Sequence, residues 1–180
     1  AKVERVRLWP GLGLTLALEG VTLSGADASR PLFTAERLEA TVPWRALWSD
    51  ELALRSVVVE RAHVRYEIDA AGRDAWAPVF DQVIAWIGPG PSAFDIGDLQ
   101  FINCALSYRD QRVGTSIEFS AIGLEASDVR PKAAFPAKMR TAWQSGADLG
   151  HASLVGEFTV DPDQSRYAAD RTQLKAWFGG

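Results

Sequence analysis

The sequence predicts a mainly β protein, and three observations carry that prediction. Apolar and polar residues alternate along most of the chain, one segment repeats at a fixed interval, and few stretches show helical spacing. The chain has 180 residues, of which 47% are hydrophobic and 23% charged, which is a globular composition. This length suits one ordinary domain. We therefore expect a single β-rich domain over residues 1–180.

Strands are predicted wherever apolar residues occupy every second position. Residues 14–19, 63–68 and 116–121 follow this pattern most clearly, with polar or small side chains between the apolar ones. Such alternation is typical of a strand with one apolar face. Further strands are predicted at 2–8, 32–42, 52–59, 95–102, 104–109, 137–143 and 151–160.

Helices are predicted at only a few places. Residues 44–48 favour one short helix, and residues 75–87 favour a longer one because their apolar side chains recur at helical spacing after Asp74, a suitable N-cap. Residues 168–177 are a further candidate. The Gly/Pro stretch at 88–91 ends the longer helix and is the strongest internal boundary.

An internal repeat is the most informative feature of the sequence. Positions in 54–72 recur without a gap in 96–114, and a degenerate copy at 18–26 matches the start of the first unit, with Leu18 equivalent to Leu54. The matched positions of the two main copies are Leu54/Ile96, Val57/Leu99, Val59/Phe101, Ala62/Cys104, Val64/Leu106, Tyr66/Tyr108 and Gly72/Gly114. A repeat of this kind cannot bury its apolar face alone and stacks on its neighbours. We interpret each unit as two strands that meet at a tight turn or bulge, around 60–61 and 102–103.

In a hairpin of this kind, one face of the unit is apolar and the other mostly polar. Val57, Val59, Ala62, Val64 and Tyr66 share the apolar face. Two structures satisfy this pattern: the closed core of a β-sandwich, or a curved sheet with a lined groove. Alternation alone does not distinguish them.

Composition and motifs argue against several classes of function. The formal charge of −4 and the pI near 5.2 give no indication of the positively charged surface that binds nucleic acid. His63 falls on the polar face of a strand, and Cys104 falls in an inward apolar position, so neither indicates a metal or catalytic site. Gly11 to Gly13 and Asp161 to Asp163 fit simple turns. We expect a non-enzymatic protein with no cofactor and no metal.

Residues 16–76 contain four short motifs that are shared with one group of proteins. The group's "a-x-R-hydrophobic" element matches Ala35 to Leu38, and its short helical turn matches Trp44 to Trp48. The "V-x-V-x-x-A-x-V" strand pair matches Val57 to Val64, and the "D-x-x-G-x-x-x-W" turn matches Asp69 to Trp76. In these motifs the chain resembles AsmA-like proteins of Gram-negative bacteria. The motifs consist of strand and turn residues, and none is a catalytic signature.

A second block, residues 94–129, is similar to a later element of the same group, with Tyr108 and Asp110 in the expected places. The LVGEF segment at 154–158 is similar to the strand that follows it. The resemblance covers roughly residues 12–160 and includes relatives catalogued only as a domain of unknown function.

The resemblance implies a bridge-like lipid-transfer protein whose antiparallel β-hairpins form a curved, taco-shaped sheet with an apolar groove. Family members carry an N-terminal inner-membrane helix and project into the periplasm. Because the chain begins at Ala1 without Met, we expect a fragment of a longer AsmA-like protein, tethered to the inner membrane by a segment upstream. The expected partners are phospholipid or another acyl lipid and, in addition, envelope proteins.

The leading hypothesis is therefore a periplasmic segment that binds acyl chains and contributes to phospholipid transport between the inner and outer membranes, or to outer-membrane homeostasis. The alternative is a closed β-sandwich that serves as a structural or protein-interaction module of a cell-envelope assembly protein. The candidate groove residues are Val57, Val59, Val64, Tyr66, Leu99, Phe101, Leu106, Tyr108, Ile117 and Phe119.

Overall fold

The mainly β prediction is confirmed. A computed structural model describes residues 1–25, 29–48, 52–79, 94–161 and 166–179, with 77% strand and 5% helix. Ten strands are formed in this part of the chain. They are β1 (Arg5–Pro10), β2 (Gly13–Ser24), β3 (Pro31–Pro43), β4 (Leu52–Glu60), β5 (His63–Ile68), β6 (Phe94–Asp110), β7 (Thr115–Val129), β8 (Ala134–Ser145), β9 (Asp148–Asp161) and β10 (Arg166–Gly179).

All ten described strands belong to one sheet. Its order is β1-β2-β3-β4-β6-β7-β8-β9-β10, and β5 pairs with β3 and β6 beyond the end of β4. Neighbouring strands are antiparallel except for β6, which runs parallel to both β4 and β5. The described residues therefore supply no second sheet that could close a sandwich over the first.

The helix predictions have three different outcomes. Residues Trp44–Trp48 form a short 3-10 helix, as the sequence predicts. Of the helix predicted at 75–87, one turn at 77–79 is present, and the rest, with the Gly/Pro boundary at 88–91, lies outside the described residues. The candidate helix at 168–177 is wrong: those residues lie within β10, where period-two pairing with β9 prevails over local helix propensity.

The two main copies of the repeat lie side by side in parallel. Each pair that joins β4 or β5 to β6 consists of two residues that the repeat makes equivalent, as in Val59 opposite Phe101 and Val64 opposite Leu106. The expected hairpin within each unit is wrong, because β4 and β5 run in the same direction along β6. The alternative interpretation, a bulge, is correct at Arg61, and the strands predicted at 95–102 and 104–109 are one strand, β6.

The structure aligns the degenerate copy differently from the sequence match. Leu18 pairs with Leu38, which pairs with Val59, so the structural equivalent of Leu18 is Val59 and not Leu54. Further along, Leu23 pairs with Phe33, which pairs with Val64, so the same realignment holds there. This equivalence depends on pairing with the intervening strand β3, so a direct comparison of the two sequence copies does not reveal it.

Left-handed backbone conformations mark one level of the sheet. Gly20, Arg61, Asn103 and Ala121 have φ values of 63°, 47°, 53° and 48°. The pairing that aligns Leu18, Val59 and Phe101 also makes Gly20, Arg61 and Asn103 equivalent positions. Ala121 lies in the β7 register shift between Ser120 and Gly123. Each extra residue there keeps the following apolar side chains on the same face.

The buried residues are few and mostly small. Ala17, Ala35, Ala62 and Ala126 are among them, and no large side chain of the described chain is fully buried. The chain exposes 11912 Å², whereas a compact monomer of this 19.6 kDa mass exposes about 8,600 Å². A single sheet with no second layer among the described residues has such a large surface, because both of its faces contribute.

Replacing Ala121 by Gly tests the strain at the line of bulges. The left-handed conformation costs an alanine about 1–2 kcal/mol, and glycine adopts it freely. We expect Ala121→Gly to raise the free energy of unfolding by about 1 kcal/mol in urea titration. Ala142→Gly, in the neighbouring strand β8 and without a positive φ, should instead lower it by about 0.5–1 kcal/mol. A loss of stability in Ala121→Gly would contradict the assigned conformation.

Candidate functional site

One unbroken row of apolar side chains crosses the sheet. It contains one residue from each of nine strands, every one of them the pairing partner of the next. Its members are Val6, Leu18, Leu38, Val59, Phe101, Leu124, Met139, Leu154 and Leu174. With strands about 4.8 Å apart, such a row is about 38 Å long.

Two further rows run beside the first one and are equally apolar. The row on one side contains Leu8, Leu16, Ala40, Val57, Leu99, Ala126, Ala137 and Gly156. The row beyond the bulges contains Leu23, Phe33, Val64, Leu106, Phe119, Trp143, Gly150 and Phe178. We call the surface formed by these three rows the apolar face.

The line of bulges lies within the apolar face and does not interrupt it. Ala35, Ala62 and Cys104 form a buried cluster at this level. Residues from both sides of the bulges pack against the cluster: Val21, Phe33, Leu38, Val59, Phe101 and Ile122. The small side chains at the centre let the larger ones on either side meet, which makes the rows continuous.

A second cluster extends the apolar face toward the other end of the strands. Ala126, Val129 and Phe135 are buried there. The rings of Phe135 and Phe158 are tilted against each other, with centroids 6.3 Å apart. Partly buried residues around this cluster are Phe94, Ile96, Leu99, Ala137, Phe158 and Val160.

The ten residues that the sequence predicts for a groove lie together on strands β4 to β7, in the middle of the apolar face. All ten are half-buried. Val57 pairs with Leu99, and Tyr108 pairs with both Tyr66 and Ile117. The structure thus brings these residues together, and their role in binding stays a prediction.

Sequence reasoning missed the outer parts of this face. Leu18, Leu38, Met139, Leu154 and Leu174 continue the central row on strands that the main repeat does not include. Alternation identified several of these strands but not their register. The exposure of the face increases toward its edges, and Phe178 on β10 is 77% exposed.

The opposite face of the sheet carries the charges, and we call it the polar face. Arg5 and Arg7 both form ion pairs with Glu19, at 3.0 and 3.1 Å. Near the bulges, Arg61 donates hydrogen bonds to Glu36, and this contact lowers the pKa of the Glu36 carboxyl and raises that of the Arg61 guanidinium. The two faces therefore differ sharply in polarity.

Polar contacts close one end of the apolar face. The rings of Tyr66 and Tyr108 stack with centroids 6.0 Å apart, and Tyr66 Oη donates a hydrogen bond of 2.9 Å to Asp74 Oδ2. This hydrogen bond, with desolvation, raises the pKa of Tyr66, which keeps the phenol neutral. At the end of β6, Arg112 donates to the buried Asp110 carboxylate at 2.6 Å and lowers its pKa.

The two histidines and the cysteine do not come together. His63 lies on the polar face, where its Nε2 is 2.6 Å from Ser107 Oγ, and His151 is exposed on β9. Cys104 is buried, with Sγ 3.6 Å from the Val59 carbonyl oxygen. Within the described ranges, no three His, Cys, Asp or Glu side chains are grouped as a metal site requires.

Comparison with known proteins adds no assignment. No protein-family model matches the chain, and no curated protein matches its sequence. Among the described residues, no helix has both the length and the apolar character needed to cross a membrane. The resemblance to AsmA-like proteins therefore stays a prediction from motifs.

A pair of substitutions tests whether the middle of the apolar face is solvent-accessible surface or closed core. Leu106 is half-buried in the third row and pairs with Val64. Ala62, two positions before Val64, is 5% exposed within the buried cluster. We expect Leu106→Asp to lower the free energy of unfolding by about 2 kcal/mol and to leave a cooperative fold, because the carboxylate stays hydrated.

Ala62→Asp should cost about 4 kcal/mol or more and prevent folding, because its charge has no hydrated position. Circular dichroism and urea titration measure both effects. Unfolding by Leu106→Asp to the same extent as by Ala62→Asp would mean that position 106 lies in a closed core.

Proposed function

We propose that the apolar face binds the acyl chains of a phospholipid or a similar lipid, and that the chain is a non-enzymatic segment of a lipid-transport protein. One observation carries this proposal: three apolar rows cross eight or nine strands each on one face, and the described residues place no second sheet upon it. Exposed apolar area of this extent marks an interaction site in soluble proteins.

The energetics favour acyl chains as the occupant. Each buried methylene contributes about 0.8 kcal/mol, so ten methylenes contribute about 8 kcal/mol. Association costs at least about 4 kcal/mol in lost freedom, which leaves enough to hold one chain weakly and reversibly. A row of side chains without polar groups, such as the central one, gives no directional hydrogen bonds, so an acyl chain can shift along it. Such binding needs no cofactor.

The line of bulges supports a curved form of this site. Bulges bend a strand and increase its twist, and here Arg61 and Asn103 lie at the same level of adjacent strands, with Ala121 close by on the next. We propose that the sheet curls around the apolar face at this level and forms a groove. The half-buried state of the ten central residues fits a concave surface.

The wider role that we propose follows from the resemblance to AsmA-like proteins. The chain would be one segment of a longer periplasmic protein that is tethered to the inner membrane. Such a segment would take part in phospholipid transport between the two membranes or in outer-membrane homeostasis. Envelope proteins are further partners in this proposal, and nucleic acid is not.

A structural or protein-interaction role is the competing proposal, and the edge of the sheet favours it. Strand β10 is exposed along its whole length from Arg166 to Gly179, and unpaired backbone groups at such an edge can pair with another strand. Binding at this edge uses backbone hydrogen bonds, whereas acyl binding uses side chains of the apolar face. Substitutions on the two faces distinguish these roles.

Two aspartate substitutions on opposite faces test acyl binding. Met139 on β8 is 38% exposed and belongs to the central apolar row, and Val155 on β9 is 47% exposed and lies on the polar face. A fluorescent fatty acid should bind the unaltered chain saturably. We expect Met139→Asp to weaken this binding about tenfold, because a charge enters the row, and Val155→Asp to change it less than about twofold.

The two sites are matched in exposure and in neighbouring strands, so a general loss of stability would affect both variants. Absence of saturable binding by the folded, unaltered chain would refute acyl binding. Equal weakening by both variants, with the fold retained in each by circular dichroism, would also contradict binding on the apolar face, because only Met139 belongs to that face.

A further inference from the structure

A polar cavity of about 320 Å³ opens on the polar face, at the ends of β5, β6 and β7. Three arginines line it: Arg30, Arg65 and Arg109. Two glutamates, Glu67 and Glu118, are also in its wall, so the lining has a formal charge of +1. The whole chain has a net charge of −4, so the positive charge of this cavity is opposite in sign to that of the chain as a whole.

The arginines of this cavity have free hydrogen-bond donors. In the part of the chain that the structure describes, none of the three forms an ion pair, whereas Arg5, Arg7, Arg61 and Arg112 do. Arg65 Nη1 is buried and lacks a hydrogen-bond partner among the described residues. A buried cationic donor without a partner lowers the stability of the fold. Because Nη1 itself is closed to solvent, a ligand in the cavity would contact the exposed Arg30 and Arg109 and the part of Arg65 that lines the cavity.

The acidic side chains of the cavity are directed to other partners. Gln111 Nε2 donates to Glu67 Oε1 at 2.9 Å, and Ser107 Oγ donates to Glu118 Oε2 at 2.5 Å. The second hydrogen bond belongs to a chain, since His63 Nε2 is 2.6 Å from the same Ser107 oxygen. These contacts hold the two carboxylates while the guanidinium groups remain available.

We propose that this cavity binds a phosphate group. Guanidinium groups match phosphate oxygens in charge and in planar, two-pronged geometry. Arg65 and Arg109 lie on adjacent parallel strands, and Arg30 directly precedes β3, so three separate segments of the chain each supply one guanidinium group. A phosphate offers enough oxygens to meet all three, whereas a single carboxylate has only two.

The phosphate can belong to a lipid headgroup or be free in solution, and the chemistry of the cavity is the same for both. The cavity lies on the face opposite the apolar rows, so this inference does not depend on acyl binding. Loss of one activity would leave the other unaffected, and the two proposals can fail separately.

Titration with inorganic phosphate at constant ionic strength, followed by calorimetry, tests the site directly. We expect saturable binding that Arg65→Gln and Arg109→Gln each weaken about tenfold or more, because each removes charge-assisted hydrogen bonds. Arg140→Gln is the matched control, since Arg140 is an exposed arginine of the same face outside this cavity, and it should leave binding unchanged. If Arg65→Gln does not fold, the exposed Arg109 decides the result.

Flotation with phosphatidylcholine vesicles, with and without phosphatidic acid, identifies the source of the phosphate. Binding that requires phosphatidic acid and both arginines indicates a headgroup, and binding of inorganic phosphate without vesicle binding indicates a free anion. Either result supports the site. The inference is overturned if neither probe binds saturably, or if Arg140→Gln weakens binding as much as the cavity variants do.

Discussion

The left-handed residue at one level of β2, β6 and β7, and between β4 and β5, is the constraint on which the apolar face depends. A strand alternates its side chains strictly, so a spacing of three between Val59 and Ala62 would otherwise turn the second half of the unit over. Arg61 and Asn103 adopt a left-handed conformation, and this restores the orientation of the side chains that follow them. The apolar rows before and after this level consequently share one surface.

Backbone pairing between neighbouring strands dominates the construction of this sheet. Arg61 N donates to the Ile102 carbonyl oxygen at 2.9 Å and Ala105 N donates to Ala62 O at 2.8 Å, so the hydrogen-bond ladder continues across the bulges. Side-chain burial contributes less than in a layered domain, because the fully enclosed positions are taken by small residues such as Ala35 and Ala62. A ligand on the apolar face would bury apolar side chains that the chain itself leaves exposed, and would thereby stabilise the fold. The sparse core is in this way linked to the proposed function.

Sequence reasoning predicted the class of fold and the centre of the candidate site, since alternation and the repeat both report on local geometry. The constant offset that relates Val64 to Leu106 in the repeat is also the register of a parallel strand pair. That pairing direction could not be read from the repeat, because a hairpin and a bulge place the same residues on one face. The alignment of Leu18 with Val59 depends on β3 between them, and the strand state of 168–177 depends on pairing with β9. Both are long-range effects, which is also why the outer residues of the face and the basic cavity escaped the sequence analysis.

The most direct measurement of the central claim is photocrosslinking to phospholipid from position 106, with position 105 as the control. Leu106 lies on the apolar face, and Ala105, its neighbour on β6, lies on the polar face and does not line the basic cavity. A photoreactive residue would be placed at each position in bacteria that produce the protein, and lipid adducts would be identified by mass spectrometry. The account predicts phospholipid adducts at 106 and none at 105. Equal adducts at both positions, or none at 106 in folded and abundant protein, would contradict it.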